Sequence, residues 1–464
     1  MKRILISALL SGIFAPAFAA GEAKNVIFFL GDGMGPVTVT ASRIFKYGEA
    51  GQLTMDTLPR TARIKTFSFD AQTTDSAPSM AAYMTGVKMN NEVVSMTPDT
   101  KATPPTMDAT TGVSYAVNNC ASTNGKSVPT LLELAIANKK ATGVISTARL
   151  THATPAVTYS HICNRNAEYE IARQAVPGGA GYNAALGTGI DFFMGGISQY
   201  WVPFNATGSN AAKKGRPDGR DLVAEMKANK YTFVSDKASF DAAPTAAGSK
   251  IFGLFDQAFA QAHMSYELDR DATKEPSLAE MTTKAIDVLS KNSNGYFLMV
   301  EGGRIDHALH STNAKRALVD TIAFDDAIKA ALGKVDLTNT LVVVTADHDH
   351  TMVFNGYPKK GNPVLDIVRS YTDGLPAKDA DGKTFTTLVF GQSPNRPQAR
   401  ADVDSVIAQS NDYQQEGAVK VSNGGESHGG GDVRLHATGA ASSNFKGTID
   451  NTKVFTLVKN AFGF

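Results

Sequence analysis

The chain has 464 residues and a formal net charge of +1, because 45 lysines and arginines nearly balance 44 aspartates and glutamates. A net charge this close to zero gives no electrostatic reason to expect nucleic acid or an anionic membrane as a partner. The length exceeds that of a usual single domain and predicts one large domain that carries an insertion.

The first residues are typical of a signal peptide. Residues 1–19 combine a basic start, an apolar run and a small-residue end, and Ala17-Phe18-Ala19 fits an A-x-A cleavage site. The alternative is a membrane anchor, but the apolar run is shorter than the roughly 20 residues that a spanning helix needs. We therefore predict a periplasmic or secreted chain without a membrane anchor, whose mature domain covers residues 20–464.

Short apolar runs then alternate with amphipathic stretches. Four runs lack polar alternation, as is typical of strands buried on both faces: VIFFL (26–30), GVIST (143–147), YFLMV (296–300) and LVVVT (341–345). Helical patterns lie between them, for example over residues 129–141 and 277–292. The alternation predicts an α/β fold with a mostly parallel central β-sheet flanked by helices on both faces.

Polar side chains follow each of these four runs. They are Asp32, Thr154, Glu301 and Asp347. A single such residue is typical of a helix cap or a turn. In open α/β sheets, however, the ligand crevice lies at the carboxyl ends of the strands. Four polar ends together therefore predict one site at one edge of the sheet.

Two regions differ from this alternation. Residues 205–219 are rich in glycine, asparagine, alanine and lysine and indicate a surface loop. Residues 356–421 contain many glycines, prolines and aspartates and only short strand-like pieces, which predicts an inserted subdomain. The two cysteines, Cys120 and Cys163, permit one disulfide in an oxidising compartment, but the sequence leaves open whether they are bonded.

Three segments carry clusters of possible metal ligands. In EGGRIDHALH, Asp306 and His310 are four residues apart and share one face of a helix that begins near Asp306, which suits zinc. In TADHDH, Asp347 and His348 are adjacent at a strand end, so an irregular turn is needed for both to bind one ion. His428 lies among glycines, where the backbone can approach an ion closely.

The segment TTDSAPSMAAYMTG offers a nucleophile for such a metal site. Pro78 is tolerated in the first turn of a helix, which places Ser76 at the helix N-terminus, where an anion is favoured. The alternative is that Ser76 is only an N-cap. Arg165 can bind two phosphate oxygens at once. The alternative to this phosphate-binding role is that Arg165 is an ordinary surface arginine.

Taken together, these segments resemble the alkaline phosphatase family over nearly the whole mature chain, from NVIFFLGDGMG to ESHGGGDVRLHATG. TDSAPSMAAYMTGVK is similar to the nucleophile motif of the family, and EGGRIDHALH to its metal-binding stretch. The resemblance implies two zinc ions and one magnesium ion, with these site residues: Asp306, His310 and His428 at the first zinc; Asp347, His348 and Ser76 at the second; Asp32 between the second zinc and magnesium; Thr154 and Glu301 at magnesium; and Arg165 on the phosphate.

Three further histidines resemble the animal branch of the family or its supporting residues. Some bacterial members have Asp and Lys where this chain has His152 and His307, whereas animal members have His at both. The resemblance implies that His307 lies near the phosphate, that His152 lies behind the magnesium ligands, and that His350 supports the zinc ligands. It also implies a homodimer, with residues 356–421 as a crown-like subdomain.

The activity that the resemblance implies is the hydrolysis of phosphate monoesters to an alcohol and inorganic phosphate through a phosphoserine at Ser76, with some phosphotransferase activity. The alternatives are a phosphodiesterase or a sulfatase on the same fold. Those enzymes typically lack the third metal site, so Thr154 and Glu301 favour the monoesterase. A periplasmic protein that only binds phosphate or metal is a further alternative, but it has no need of a hydroxyl nucleophile.

Overall fold

The computed structural model describes residues 22–207, 214–256 and 262–464. The predicted signal peptide lies outside the described residues, as does the middle of the predicted loop at 205–219. Within the described ranges, no helix combines the length and the apolar character that crossing a membrane requires.

Fifteen strands are present in the described part of the chain. They are β1 (Asn25–Gly31), β2 (Arg60–Lys65), β3 (Ala141–Arg149), β4 (Phe192–Gly196), β5 (Thr232–Val234), β6 (Ile251–Phe255), β7 (Tyr296–Gly302), β8 (Thr340–Ala346), β9 (Asp349–His350), β10 (Met352–Phe354), β11 (Leu388–Ser393), β12 (Gly417–Lys420), β13 (His428–Gly429), β14 (Val433–Gly439) and β15 (Gly447–Asp450). Ten of them form one sheet in the order β15-β2-β14-β8-β1-β7-β3-β4-β6-β5. Only β14 runs antiparallel to its neighbours in this sheet, so the predicted mostly parallel sheet is confirmed.

Twelve α-helices accompany these strands in the same described ranges. They are α1 (Pro36–Tyr47), α2 (Ser76–Thr85), α3 (Leu131–Ala137), α4 (Ala153–Tyr159), α5 (Glu168–Gln174), α6 (Leu222–Ala228), α7 (Lys237–Ala242), α8 (Leu278–Leu289), α9 (Arg304–His310), α10 (Ala314–Leu332), α11 (Ser405–Ala408) and α12 (Asn451–Phe462). The helices predicted over 129–141 and 277–292 correspond to α3 and α8. The α3 prediction was too long at its C-terminal end, because Ala141 already belongs to β3.

Adjacent side chains of β1 show why these apolar strands need helices on both faces. Successive side chains of a strand point to opposite faces of the sheet. The ring of Phe28 lies 5.6 Å from that of Tyr83 on α2, whereas the ring of Phe29 lies 5.9 Å from that of Phe324 on α10. The predicted flanking by helices on both faces is therefore confirmed.

The segment predicted as an insertion forms a small separate sheet. Strand β11 pairs with β10 on one side and with β12 on the other, and none of the three joins the ten-stranded sheet. A small apolar cluster of Ile367, Val403 and Ala408, with Tyr413 packed against it, lies apart from the main core. The sheet begins at β10, just before residue 356, and ends with β12. The crown-like role of the segment stays a prediction.

Cys120 and Cys163 form a disulfide, with their Cα atoms 5.7 Å apart. The sequence left this pairing open, because 43 residues separate the two cysteines. Tertiary pairing brings them together: Val94 exchanges backbone hydrogen bonds with Ile162, the neighbour of Cys163. The disulfide thus joins the segment that leads to α3 to the segment that carries Arg165.

Removing this disulfide should destabilise the fold. Because the crosslink restricts the unfolded chain, the variant Cys120→Ser/Cys163→Ser should lose about 2–4 kcal/mol of unfolding free energy. Urea unfolding of the variant and of the oxidised wild-type protein measures the difference. A reductant should bring the wild type to the midpoint of the variant, and equal midpoints before reduction would contradict the prediction.

Candidate active site

Three neighbouring parallel strands bring buried carboxylates to one edge of the sheet. Strand β1 lies between β7 and β8, with Leu30 level with Glu301 and Gly31 level with Ala346. Asp32 and Asp347, the residues that follow β1 and β8, therefore lie level with each other, two residues beyond the level of Glu301. All three acids are fully buried. The structure thus brings together the strand ends that the sequence predicted to converge.

Ser76 is the first residue of α2, and Asp75 is its N-cap. Asp75 Oδ2 accepts a hydrogen bond from the Ala77 backbone N–H at 3.3 Å, so the alternative of Ser76 as a plain cap is wrong. The Ser76 hydroxyl is buried, 3.2 Å from His348 Nε2 and 3.5 Å from Asp32 Oδ1. The dipole of the helix favours an anion at this position.

Three histidines turn the same nitrogen toward the carboxylates. In His310, His348 and His428, the Nδ1 atom lies at a backbone carbonyl oxygen, which can only accept a hydrogen bond. The acceptors are the carbonyl oxygens of Glu426, Asp349 (3.2 Å) and Thr74 (2.7 Å), respectively. Each Nδ1 therefore carries a proton, and each Nε2 faces the site, which is the arrangement typical of histidine metal ligands.

Asp306, His310 and His428 form the first cluster. The Nε2 atoms of the two histidines are 3.2 Å apart, and Asp306 Oδ1 lies 3.3 Å from His310 Nε2 and 3.6 Å from His428 Nε2. Two lone pairs cannot form a hydrogen bond with each other. Their separation is close to the ~3.3 Å expected between two nitrogen ligands of one tetrahedral zinc ion. His428 reaches this place because β13 pairs with β9, placing it opposite His350.

Asp347, His348 and Asp32 form the second cluster. His348 Nε2 lies 3.3 Å from Asp32 Oδ1 and 3.4 Å from Asp347 Oδ2. Asp347 and His348 occupy the two positions between the end of β8 and the start of β9. This is the irregular turn that two adjacent ligands require. Gly33 N–H donates to Asp347 Oδ1 at 3.0 Å and fixes that carboxylate.

Asp32, Thr154 and Glu301 form the third cluster. Thr154 Oγ1 lies 3.4 Å from Asp32 Oδ2, and Glu301 Oε2 accepts a hydrogen bond from Ser146. Glu301 Oε1 is buried and finds no hydrogen-bond partner among the described residues. A ring nitrogen of His152 also lies within 4.8 Å of carboxylate oxygens of Asp32 and Glu301. Oxygen donors of this kind suit magnesium.

The buried negative charges of these clusters favour the binding of cations. Burial and the neighbouring Asp32 raise the pKa values of Glu301 and Asp347 well above the ordinary carboxyl range. Burial lowers the pKa of His348, but Asp347 and Asp32 outweigh that effect and raise it to about 9. In the ion-free protein, protons therefore supply part of the positive charge that divalent ions would bring. The nitrogen and oxygen donors fit zinc in the first two clusters and magnesium in the third.

His350 supports the first cluster and is not placed as a ligand. Its Nε2 lies 2.8 Å from Asp306 Oδ1 and its Nδ1 lies 2.6 Å from Glu426 Oε2. Burial lowers its pKa, but the hydrogen bonds to both carboxylates outweigh burial and raise the pKa to about 10. Sequence reasoning missed Glu426. The only signal was its position two residues before His428, which in an extended segment puts both side chains on the same side.

Arg165 is held beside Ser76 by two partners. Its Nη1 contacts the Asp75 carboxylate, and its Nη2 lies 2.9 Å from His152 Nε2. Its backbone N–H donates to the Glu92 carbonyl at 2.8 Å. The surface-arginine alternative is wrong, since the side chain is mostly buried. Asp75 was also missed as a site residue, because the sequence suggested only a turn or cap there.

His307, the last of the predicted site residues, lies beside His152, with ring centroids 5.1 Å apart. A third histidine, His263, packs against His307 with a centroid distance of 3.9 Å. No role could be assigned to His263 from the sequence, because it lies 44 residues before His307 and outside every recognisable motif. All predicted site residues are therefore found in one connected region.

The sequence matches the alkaline phosphatase family over residues 23–464. It is 36% identical over 444 residues to the tissue-nonspecific isozyme of alkaline phosphatase from Homo sapiens. The aligned region covers 90% of this chain and 79% of that protein. It is also 36% identical over 446 residues to an alkaline phosphatase of Gadus morhua, with 90% and 87% covered. These animal relatives confirm the resemblance indicated by His152 and His307.

Solved structures show the same fold. The alkaline phosphatase of Thermus thermophilus superimposes with a TM-score of 0.68 at 23% identity, covering 98% of this chain and 96% of that one. A variant of TAB5 alkaline phosphatase, described with Mg bound in its M3 site, superimposes with a TM-score of 0.65 at 25% identity, covering 96% and 99%.

In the ion-free protein, the part of the stability that depends on Glu301 and Asp347 should fall as the pH rises, and the variant Glu301→Gln, which lacks one of these carboxyls, should show less of this fall. The raised pKa values of Glu301 and Asp347 mean that the folded chain retains protons that the unfolded chain releases. This stabilisation is fully present below about pH 4, the pKa of unfolded carboxyls, and is lost as the pH rises through the folded values. Thermal unfolding of chelator-treated protein across this range measures the effect.

Ion binding should release these protons and remove the pH dependence. Calorimetric titration with zinc, in two buffers that differ in ionisation enthalpy, counts the protons released. The variant Glu301→Gln is the control and should release fewer protons when magnesium is added after zinc. Heats that are identical in the two buffers would contradict the prediction.

Proposed function

The chain belongs to the alkaline phosphatase family and is therefore an enzyme that hydrolyses phosphate monoesters, and we propose that it does so through a covalent phosphoserine at Ser76. The position of the Ser76 hydroxyl carries this proposal. It lies at the N-terminus of α2, 3.2 Å from His348 Nε2 and 3.5 Å from Asp32 Oδ1. A binding protein would not need a hydroxyl there.

Two zinc ions and one magnesium ion complete the site in this proposal. The first zinc would be held by Asp306, His310 and His428, the second by Asp347, His348 and Ser76, and magnesium by Thr154 and Glu301, with Asp32 between the second zinc and magnesium. Bound divalent ions favour the alkoxide form of a hydroxyl and stabilise the attacking and leaving oxygens of an in-line phosphoryl transfer.

The residues of this chain then perform two displacements. Ser76 Oγ attacks phosphorus, the bond to the ester oxygen breaks, and the alcohol leaves with a proton from solvent. The Ser76 proton passes to solvent, because the two groups nearest to the hydroxyl, His348 at 3.2 Å and Asp32 at 3.5 Å, both hold ions in this proposal. Water then attacks the phosphoserine, which releases inorganic phosphate and restores the Ser76 hydroxyl. A second alcohol in place of water would give phosphotransfer.

Arg165 and the first turn of α2 stabilise the phosphate in both displacements. The guanidinium can donate two hydrogen bonds to two phosphate oxygens. Asp75 keeps it within reach of Ser76, because the same carboxylate caps the helix that begins with Ser76. The dipole of that helix adds a positive potential that is fixed before substrate arrives, which is what stabilises a transition state best.

Export and dimerisation are further parts of the proposal. The basic start, apolar run and A-x-A site of residues 1–19 support export to the periplasm or beyond. The disulfide between Cys120 and Cys163 agrees with an oxidising compartment. We propose a homodimer with residues 356–421 as the crown-like subdomain. The mass of the protein in solution tests the dimer independently of the chemistry.

Replacing the nucleophile should abolish turnover. The variant Ser76→Ala should hydrolyse p-nitrophenyl phosphate slower by about 10³-fold or more, because no residue replaces a lost nucleophile. Trapping at acid pH followed by mass spectrometry should find phosphate on Ser76 in the wild type only. Ser42→Ala, which removes another buried hydroxyl, is the control. A variant at Ser76 that keeps most of the rate while folded and metal-loaded would mean that water attacks directly.

The enzyme should prefer monoesters to diesters. A monoester carries more negative charge than a diester, and three clusters of cation ligands meet at this site. The ratio of rates with bis-p-nitrophenyl phosphate and p-nitrophenyl phosphate, at saturating zinc and magnesium, should be well below one. A ratio above one would favour the phosphodiesterase alternative, and faster release from p-nitrophenyl sulfate would favour the sulfatase.

A further inference from the structure

Three histidine rings pack against one another beside Arg165, the arginine proposed to bind phosphate. His307 packs on His263 with ring centroids 3.9 Å apart and meets the edge of His152 at 5.1 Å. His152 and His263 are buried, whereas His307 is partly exposed. The ring of His307 therefore has a fixed plane and one accessible edge.

Arg304 contacts that ring from the same helix. It lies three residues before His307 on α9, with its Nη1 3.2 Å from His307 Nδ1. The guanidinium is buried and stacks on the ring of Tyr266, 3.6 Å from the centroid. The Arg304 backbone N–H donates to Thr147 Oγ1 at 3.2 Å and fixes the start of the helix. Arg304 is thus held in place independently of any substrate.

A guanidinium has only donors, so His307 Nδ1 must accept this hydrogen bond. In a neutral imidazole with an accepting Nδ1, the proton lies on Nε2. The neighbouring histidines do not compete for that proton. Both nitrogens of His263 face Arg149, at 3.2 Å from its backbone N and 2.8 Å from Nη1. Among the described residues, no partner binds His307 Nε2, which leaves it available as a donor.

We propose that Arg304 is a positioning residue that fixes the His307 tautomer with Nε2–H, so that His307 donates a hydrogen bond toward a phosphate oxygen of the substrate. The step rests on the proposed function and on the position near the phosphate that the family resemblance implies for His307. The other tautomer would present a lone pair to an anionic oxygen and repel it. His263 contributes by holding the ring plane.

The tautomer can be observed without any assay of activity. In metal-loaded protein labelled with ¹⁵N-histidine, two-bond ¹H–¹⁵N correlation spectra distinguish a protonated nitrogen from an unprotonated one. The signal of His307 is the one that disappears in the variant His307→Gln. We expect a protonated Nε2 and an unprotonated Nδ1 in the wild type. A protonated Nδ1 would overturn the proposal.

Substitutions test the consequence for the substrate. Arg304→Met removes the donor and should raise the KM for p-nitrophenyl phosphate and the inhibition constant of phosphate by about 3–10-fold, the range of one hydrogen bond. Arg304→Lys retains a donor and should lose less than Arg304→Met. Arg316→Met is the matched control, since Arg316 also approaches Tyr266, at 5.4 Å, but contacts no site histidine.

A double substitution separates positioning from a structural role. If Arg304 acts through His307, Arg304→Met should add no further loss in the His307→Gln background. An equal additional loss in that background would overturn the proposal. If Arg304→Met does not fold, the comparison of Arg304→Lys in the two backgrounds takes its place. The tautomer is measured independently of turnover, so failure of the Ser76 mechanism would leave that result unaffected.

Discussion

The structure depends on a concentration of buried negative charge at the carboxyl ends of three parallel strands. Asp32, Glu301 and Asp347 have no contact with solvent, and they lie at the same end of the sheet because β7, β1 and β8 are neighbouring parallel strands. Burying unpaired carboxylates is very costly, so positive charge must be present there, as protons or as ions. The hydrophobic core holds these groups in place, and in the proposed function divalent ions compensate their charge.

The histidines around these carboxylates are arranged by the backbone. Three of them donate Nδ1–H to carbonyl groups of turns and short strands, which leaves Nε2 to face the site. The tautomer of a histidine follows from the hydrogen bond of its other nitrogen. His307 follows the same rule with a different partner. Its Nδ1 meets a donor, the Arg304 guanidinium, whereas the Nδ1 atoms of the other three histidines meet carbonyl acceptors. In the proposed function, this contrast distinguishes the three histidines that would bind ions from His307, which would donate to the substrate.

The phosphate side of the site is held by Asp75 and by the disulfide. Asp75 caps α2, contacts Arg165 and accepts the Glu92 backbone N–H at 3.0 Å, so that nucleophile and arginine share one support. Cys163 lies two residues before Arg165 in the same segment. Positions that must be accurate within a fraction of an ångström are thus fixed by several contacts each, as preorganised electrostatic catalysis requires.

The sequence by itself determined the α/β class, the buried strands, the helix that begins at Ser76 and the identity of the ligand-type residues. These features follow from local periodicity, from strand ends and from a family resemblance that needs no coordinates. Only the tertiary structure decided which side chains meet. The pairing of β13 with β9 brings His428 to Asp306, and a second pairing joins Cys120 to Cys163. The supporting residues Glu426, Asp75 and His263 could not be recognised from sequence, because their roles consist of contacts between segments that lie far apart along the chain. Such contacts are fixed by packing and charge in three dimensions, and local sequence patterns do not encode them.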